Sequence, residues 1–76
     1  MSRLPSVSSR QAIAAFGRAG FVIVPKRGKG SHTVMKKPGH RFRLTIPRSN
    51  DLAEGTLRGL IKGSGLTVDE FVEHLG

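Results

Sequence analysis

The run Arg27-Gly28-Lys29-Gly30-Ser31-His32 holds the residue types best suited to chemistry in this 76-residue chain. Gly28 and Gly30 let the backbone take positive φ or approach a ligand closely, and Ser31 with the amides around it can donate to an anion. Arg27 and Lys29 supply positive charge. His32 can both give and take a proton near neutral pH, and it stands where a phosphate would be held. The chemistry these residues describe is acid–base work on a phosphodiester. It needs a base for a hydroxyl proton, an acid for a leaving oxygen, and cations to steady the phosphate. RNA carries that hydroxyl beside every phosphate, so RNA is the expected substrate and His32 the expected catalyst. The Gly28-x-Gly30 spacing is neither a dinucleotide fingerprint nor a phosphate loop, because a strand rather than a helix follows it.

The elements that must position this turn can be read outward from it. Phe21-Val22-Ile23-Val24 is β-branched and aromatic, lies between Gly20 and Pro25, and predicts a strand buried on at least one face. Residues 31–37 predict the next strand, with His32, Val34 and Lys36 on one face. Pro38-Gly39 is a tight-turn dipeptide. In residues 40–46, Phe42, Leu44 and Ile46 alternate with Arg41, Arg43 and Thr45, which predicts a third strand with one apolar and one basic face. If that basic face is shared with His32, then Lys29, Lys36, Arg41 and Arg43 surround the imidazole with cations, and Arg27, Gly30 and Ser31 complete the RNA contacts.

Helices flank this β-rich middle. Ser8-Ser9-Arg10-Gln11 has the spacing of a capping box, followed by Ala12, Ile13 and Phe16 at helical period, with Gly20 placed as a left-handed C-terminal residue. After the Pro47 to Asp51 loop, a second helix starts between Asp51 and Thr56 with Leu57, Leu60 and Ile61 as its apolar face, and Gly65 ends it. Thr67-Val68-Asp69-Glu70 forms another capping box before a short helix carrying Val68, Phe71, Val72 and Leu75. The order is α-β-β-β-α with a short extra C-terminal helix. Two hairpin connections make an α+β domain with a three-stranded antiparallel sheet, helices on its apolar face and the other face open. Residues 1–7 lack periodicity and read as a flexible N-terminal arm, leaving 8–76 as a single domain.

Charge sharpens the expectation about partners. The formal net charge of +8 divides into +11 over residues 1–50, which contain no Asp or Glu, and −3 over residues 51–76. A field that one-sided favours a polyanion, either nucleic acid or an acidic protein. A membrane surface fits less well, because the cations are spread over turns and strands rather than along one amphipathic helix. The absence of cysteine rules out disulfides and thiolate metal sites, and the three histidines are not at zinc spacing, so no metal and no cofactor is expected. With no apolar run of signal-peptide or membrane-span length, a cytoplasmic protein is expected. His40 reads as a turn residue and His74 as a cation at a helix C-terminus. Phe16, Phe21, Phe42 and Phe71 all fall on apolar faces and are assigned to the core, leaving no aromatic platform for stacking bases.

Several motifs in order carry a family resemblance: Ala19-Gly20-Phe21, Gly30-Ser31-His32, Ile46-Pro47, residues 55–61 (Gly-Thr-Leu-Arg-Gly-Leu-Ile) and residues 65–71 (Gly-Leu-Thr-Val-Asp-Glu-Phe). Together they resemble the HicA toxins of type II toxin-antitoxin systems, over nearly all of residues 8–76. The resemblance implies a fold like a double-stranded-RNA-binding domain and an endoribonuclease (mRNA interferase) that needs no metal. It also implies neutralisation by a HicB-type antitoxin that covers the active histidine. The family's catalytic histidine corresponds to His32. Many members carry a second histidine just after the proline that ends the third strand, where this chain has Arg48-Ser49-Asn50, so charge is retained there but proton transfer is not. Two other readings share the layout: a non-catalytic RNA-binding module in which His32 only hydrogen-bonds phosphate or ribose, and a protein-interaction domain whose basic face meets an acidic partner.

Overall fold

The computed structural model describes residues 4–25 and 32–76. Its elements run α1 (Ser9–Arg18), β1 (Val22–Ile23), β2 (His32–Lys36), β3 (Leu44–Pro47), α2 (Glu54–Ser64) and α3 (Val68–Leu75). The strands form one antiparallel sheet in the order β1-β2-β3. This is the α+β layout of a double-stranded-RNA-binding domain with one added helix.

Both capping boxes form as their spacing predicts. Ser8 Oγ accepts from the Gln11 amide at 3.1 Å while the Gln11 side chain accepts from the Ser8 amide at 2.9 Å. Thr67 and Glu70 make the same reciprocal pair at 3.1 and 2.8 Å. Each box removes two of the orphan amides that would otherwise weaken a helix of ten or eight residues. Gly20 and Gly65 end α1 and α2 with φ of +104° and +84°, a region that costs residues bearing a Cβ about 1–2 kcal/mol.

Helix contacts cover one face of the sheet. Met35, Leu44 and Ile46 are buried there, with Ala12, Ala15 and Phe16 of α1, Leu57, Leu60 and Ile61 of α2, and Phe71 of α3. Phe16 is the junction: its ring centroid lies 5.0 Å from that of Phe71 and 6.0 Å from that of Phe21, tying α1 to α3 and to the residue before β1. Arg18 donates to the His74 carbonyl and clasps the ends of α1 and α3. Ser64, a polar residue inside this core, donates to the Ile61 carbonyl at 2.6 Å and accepts from the Leu66 amide at 3.2 Å, so its burial leaves no bond unmade.

Three expectations give way. Leu4 to Val7 is not a free arm: Val7 is buried, Leu4 packs on the core, and the Leu52 amide donates to the Val7 carbonyl at 2.8 Å. A second tie runs from Ser6 Oγ to Asp51 Oδ1 at 2.8 Å. Two apolar residues with Pro5 between them are too short a pattern to read as helix or strand, which is why the sequence does not reveal it. Secondly, β1 is a two-residue edge strand with Val22 and Ile23 about half exposed, at 50% and 53%; only the preceding Phe21 enters the core. Thirdly, β3 begins at Leu44, so residues 40–43 belong to the connection, and Phe42 is 59% exposed rather than buried.

Truncating the junction should be costly and removing a cap modest. Phe16→Ala is expected to lower unfolding free energy by about 3–5 kcal/mol and Thr67→Ala by about 1 kcal/mol, read from denaturant midpoints at unchanged slope.

Candidate nucleic-acid interface

The sheet register decides which side chains share a face. His32 pairs with Pro47, Thr33 with Ile46, Val34 with Thr45 and Met35 with Leu44. Because side chains alternate along a strand, burying Met35, Leu44 and Ile46 under the helices turns His32, Val34, Lys36 and Thr45 to the opposite face. The cross-strand pair Val22 with Lys36 adds Val22 to that face. His32, Lys36, Thr45 and Val22 are exposed, and Val34 is half-buried. Among the described residues this face carries no carboxylate. Glu54, Asp69 and Glu70 occupy the first turns of α2 and α3, where they complement the helix dipoles.

His32 thus stands exposed at the first position of β2, on the open face. The expected cations are only partly gathered about it. Lys36 is on the same face but four residues along, about 13 Å at the usual strand rise, so the two cannot share one phosphate. Arg43 immediately precedes β3, at the parity of Thr45 and towards the Lys36 end of the sheet. Arg41 is exposed in the connection before it. These three cations therefore lie towards the far end of the face, where they would meet a different stretch of polyanion from the one at His32. The predicted contacts at Arg27, Lys29, Gly30 and Ser31 lie outside the described residues. Lys37 points elsewhere, its Nζ lying 5.8 Å from the centroid of the Phe21 ring.

His40, expected as a turn residue, has a structural task that its position in the sequence does not announce. The Pro38-Gly39 turn closes through the His40 amide donating to the Lys37 carbonyl at 3.0 Å. The ring then meets Phe21 edge-on at 5.4 Å and Phe42 at 6.2 Å. Its Nε2 lies 2.7 Å from the Gly63 carbonyl oxygen, which can only accept, so Nε2 carries the proton. His40 thereby takes the inward position expected of Phe42 and locks the β2–β3 connection to α2. The missed signal is that a histidine two residues from a phenylalanine can supply the inward, half-buried ring while also capping a carbonyl. His74 sits in the last turn of α3, as predicted. Among the described residues, no three His, Asp or Glu side chains converge to hold a metal ion.

Residues 9–66 match the family model described as the HicA toxin of bacterial toxin-antitoxin systems. A solved chain from a toxin-antitoxin complex of Streptococcus pneumoniae is 32% identical, superposes with a TM-score of 0.69, and is matched over 78% of this chain and 97% of its own. No curated protein matches the sequence.

The two histidines should separate by stability. His40→Ala is expected to cost about 1–3 kcal/mol, through the unpaired Gly63 carbonyl and the lost ring contacts, whereas the exposed His32→Ala should cost clearly less; urea denaturation of both variants checks this.

Proposed function

Because the chain belongs to the HicA toxin family, we propose that it is an endoribonuclease that cleaves mRNA in the cytoplasm, with His32 as its catalytic residue and a HicB-type antitoxin as its inhibitor. The observation that carries this reading is the placement of His32: exposed, at the end of an open sheet face that bears cations and no described carboxylate.

The chemistry follows from what an imidazole can do beside a ribose. His32 accepts the proton of a 2′-hydroxyl as that oxygen attacks the adjacent phosphorus. The bond from phosphorus to the 5′-oxygen breaks, and the leaving oxygen takes up a proton, from the imidazolium or from water. The products are a 2′,3′-cyclic phosphate and a 5′-hydroxyl. The phosphate passes through a more crowded, more highly charged state, which Arg27, Lys29 and the Gly30-Ser31 amides are proposed to stabilise. No step requires a metal ion or an organic cofactor. Lys36, Arg41 and Arg43 then serve a separate purpose, holding the strand further along the face and supplying affinity that falls as salt rises.

An open face of this kind also suits inhibition by occlusion. A partner lying over the exposed residues of β1 and β2 covers His32 without rearranging the core. Positive charge on the face favours an acidic surface on that partner. Among the described residues no helix is long and apolar enough to cross a membrane.

Replacing His32 with Ala is expected to reduce RNA cleavage by at least about 100-fold and to abolish growth arrest on expression, with folding and antitoxin binding kept. Cleavage at the parental rate by the folded variant would remove His32 from the mechanism. An unchanged absence of cleavage in both proteins, with RNA still bound, would favour the non-catalytic RNA-binding module.

A further inference from the structure

A groove of about 620 Å³ opens between the start of α1 and the loop that follows β3, beside the strand end that carries His32. Ser8 to Arg10 with Ile13 line it from α1 and Arg48 to Asn50 from the loop, and Thr33, which follows His32 in β2 and points to the helix side of the sheet, completes the lining at that strand end. It takes no part in the mechanism above.

The groove has the composition of an anion site. Two arginines, Arg10 from α1 and Arg48 from the loop, line a common space whose lining includes no carboxylate. Neither arginine makes an ion pair or side-chain hydrogen bond among the described residues, where the one ion pair is Arg58 with Glu54 on the outer surface of α2. Two like charges facing a shared volume repel each other unless an anion enters between them. The remaining lining is hydroxyl and amide groups that can bond phosphate or sugar oxygens, together with one apolar surface, Ile13. The volume falls within the range of sites that enclose a small organic ligand, ample for one nucleotide.

The walls are also held in place before any ligand arrives. The Ser9 amide donates to the Ser49 carbonyl at 2.9 Å, Ser9 Oγ donates to the same carbonyl at 3.1 Å, and the Ser49 amide donates back to Ser9 Oγ at 3.2 Å. These bonds join segments forty residues apart in the chain and hold the backbones that carry Arg10 and Arg48 relative to each other. With the backbone held in this way only the side chains order on binding, so less interaction energy is lost to entropy than if the loop had to fold as well.

We propose that this groove binds one nucleotide of the RNA strand, next to the linkage at His32, with Arg10 and Arg48 holding its phosphate. The inference rests on RNA as the ligand of the proposed function, though not on catalysis. It also gives Arg48 a task. Its guanidinium is a permanent cation, suited to holding phosphate rather than to moving protons.

The test uses the full chain carrying His32→Ala, so that binding is read without cleavage, and a short single-stranded RNA followed by fluorescence anisotropy over a range of salt concentrations. Arg10→Ala and Arg48→Ala should each weaken binding about tenfold and flatten the dependence of log affinity on log salt by about 0.7, the loss of one phosphate contact. Arg48→Lys should recover the salt slope but only part of the affinity. Arg58→Ala, which removes a charge remote from the groove, should change neither. If the two groove variants behave like Arg58→Ala, the proposal is overturned. It is equally overturned if they bind RNA normally but lose antitoxin, which would make the groove a protein contact. A parent protein that binds RNA through these arginines yet never cleaves it would uphold the groove and refute the catalytic reading instead.

Discussion

Everything that points at a ligand in this protein depends on the period-two alternation of β2 and β3 against a core that exists on one side only. Met35, Leu44 and Ile46 are buried on the side that α1 and α2 cover, and the pleat then leaves His32, Lys36 and Thr45 no direction but outward. A slip of one residue in that register would bring a histidine and a lysine into the apolar interior and expose three large apolar side chains, so register and site orientation are fixed by the same energy. Phe16 anchors the arrangement by holding α1 against both α3 and the start of β1.

The distribution of charge follows the same division. Described acids near the helix starts favour the dipoles there, while the described cations are divided between α1 and α2 (Arg10, Arg18, Arg58, Lys62) and β2 with the loops around β3 (Lys36, Lys37, Arg41, Arg43, Arg48). Not all of those cations are available to a ligand. Arg18 clasps α3 and Lys37 lies near the Phe21 ring, so a net charge of +8 overstates the binding surface. Arg58 pairs with Glu54 and Lys62 lies in the last turn of α2, and the others form two groups: Lys36 with Arg41 and Arg43 at one end of the sheet, and Arg10 with Arg48 beside the other. A strand of RNA lying between them would pass His32, which is an arrangement suited to tracking a backbone rather than gripping one phosphate.

Much of this was legible in the sequence where local chemistry and tertiary packing agree. Both capping boxes, the left-handed Gly20 and Gly65, and the alternation of Leu44, Thr45 and Ile46 each specify their conformation within a few residues. What escaped was decided by contacts distant in the chain. Phe42 alternates correctly for the core, but the ladder stops at Leu44, and His40 takes the inward place because it can bond the Gly63 carbonyl twenty-three residues away. Residues 4–7 are held because Leu52 meets Val7 and Asp51 meets Ser6, a pairing no local pattern encodes. The groove formed by Ser9 and Ser49 was hidden for the same reason, since its walls come from two segments that only folding brings together.

The central claim is that an outward-facing imidazole moves the proton of a ribose hydroxyl. It is tested most directly by comparing cleavage of two otherwise identical RNA oligonucleotides, one of which lacks the 2′-hydroxyl at the nucleotide where the strand is cut. The account predicts that the deoxy substrate binds with similar affinity but is not cut there, and that the intact RNA yields a 2′,3′-cyclic phosphate at that position. Cutting of the deoxy substrate at the same place and rate would contradict it, because the proton that His32 is proposed to move would then be unnecessary.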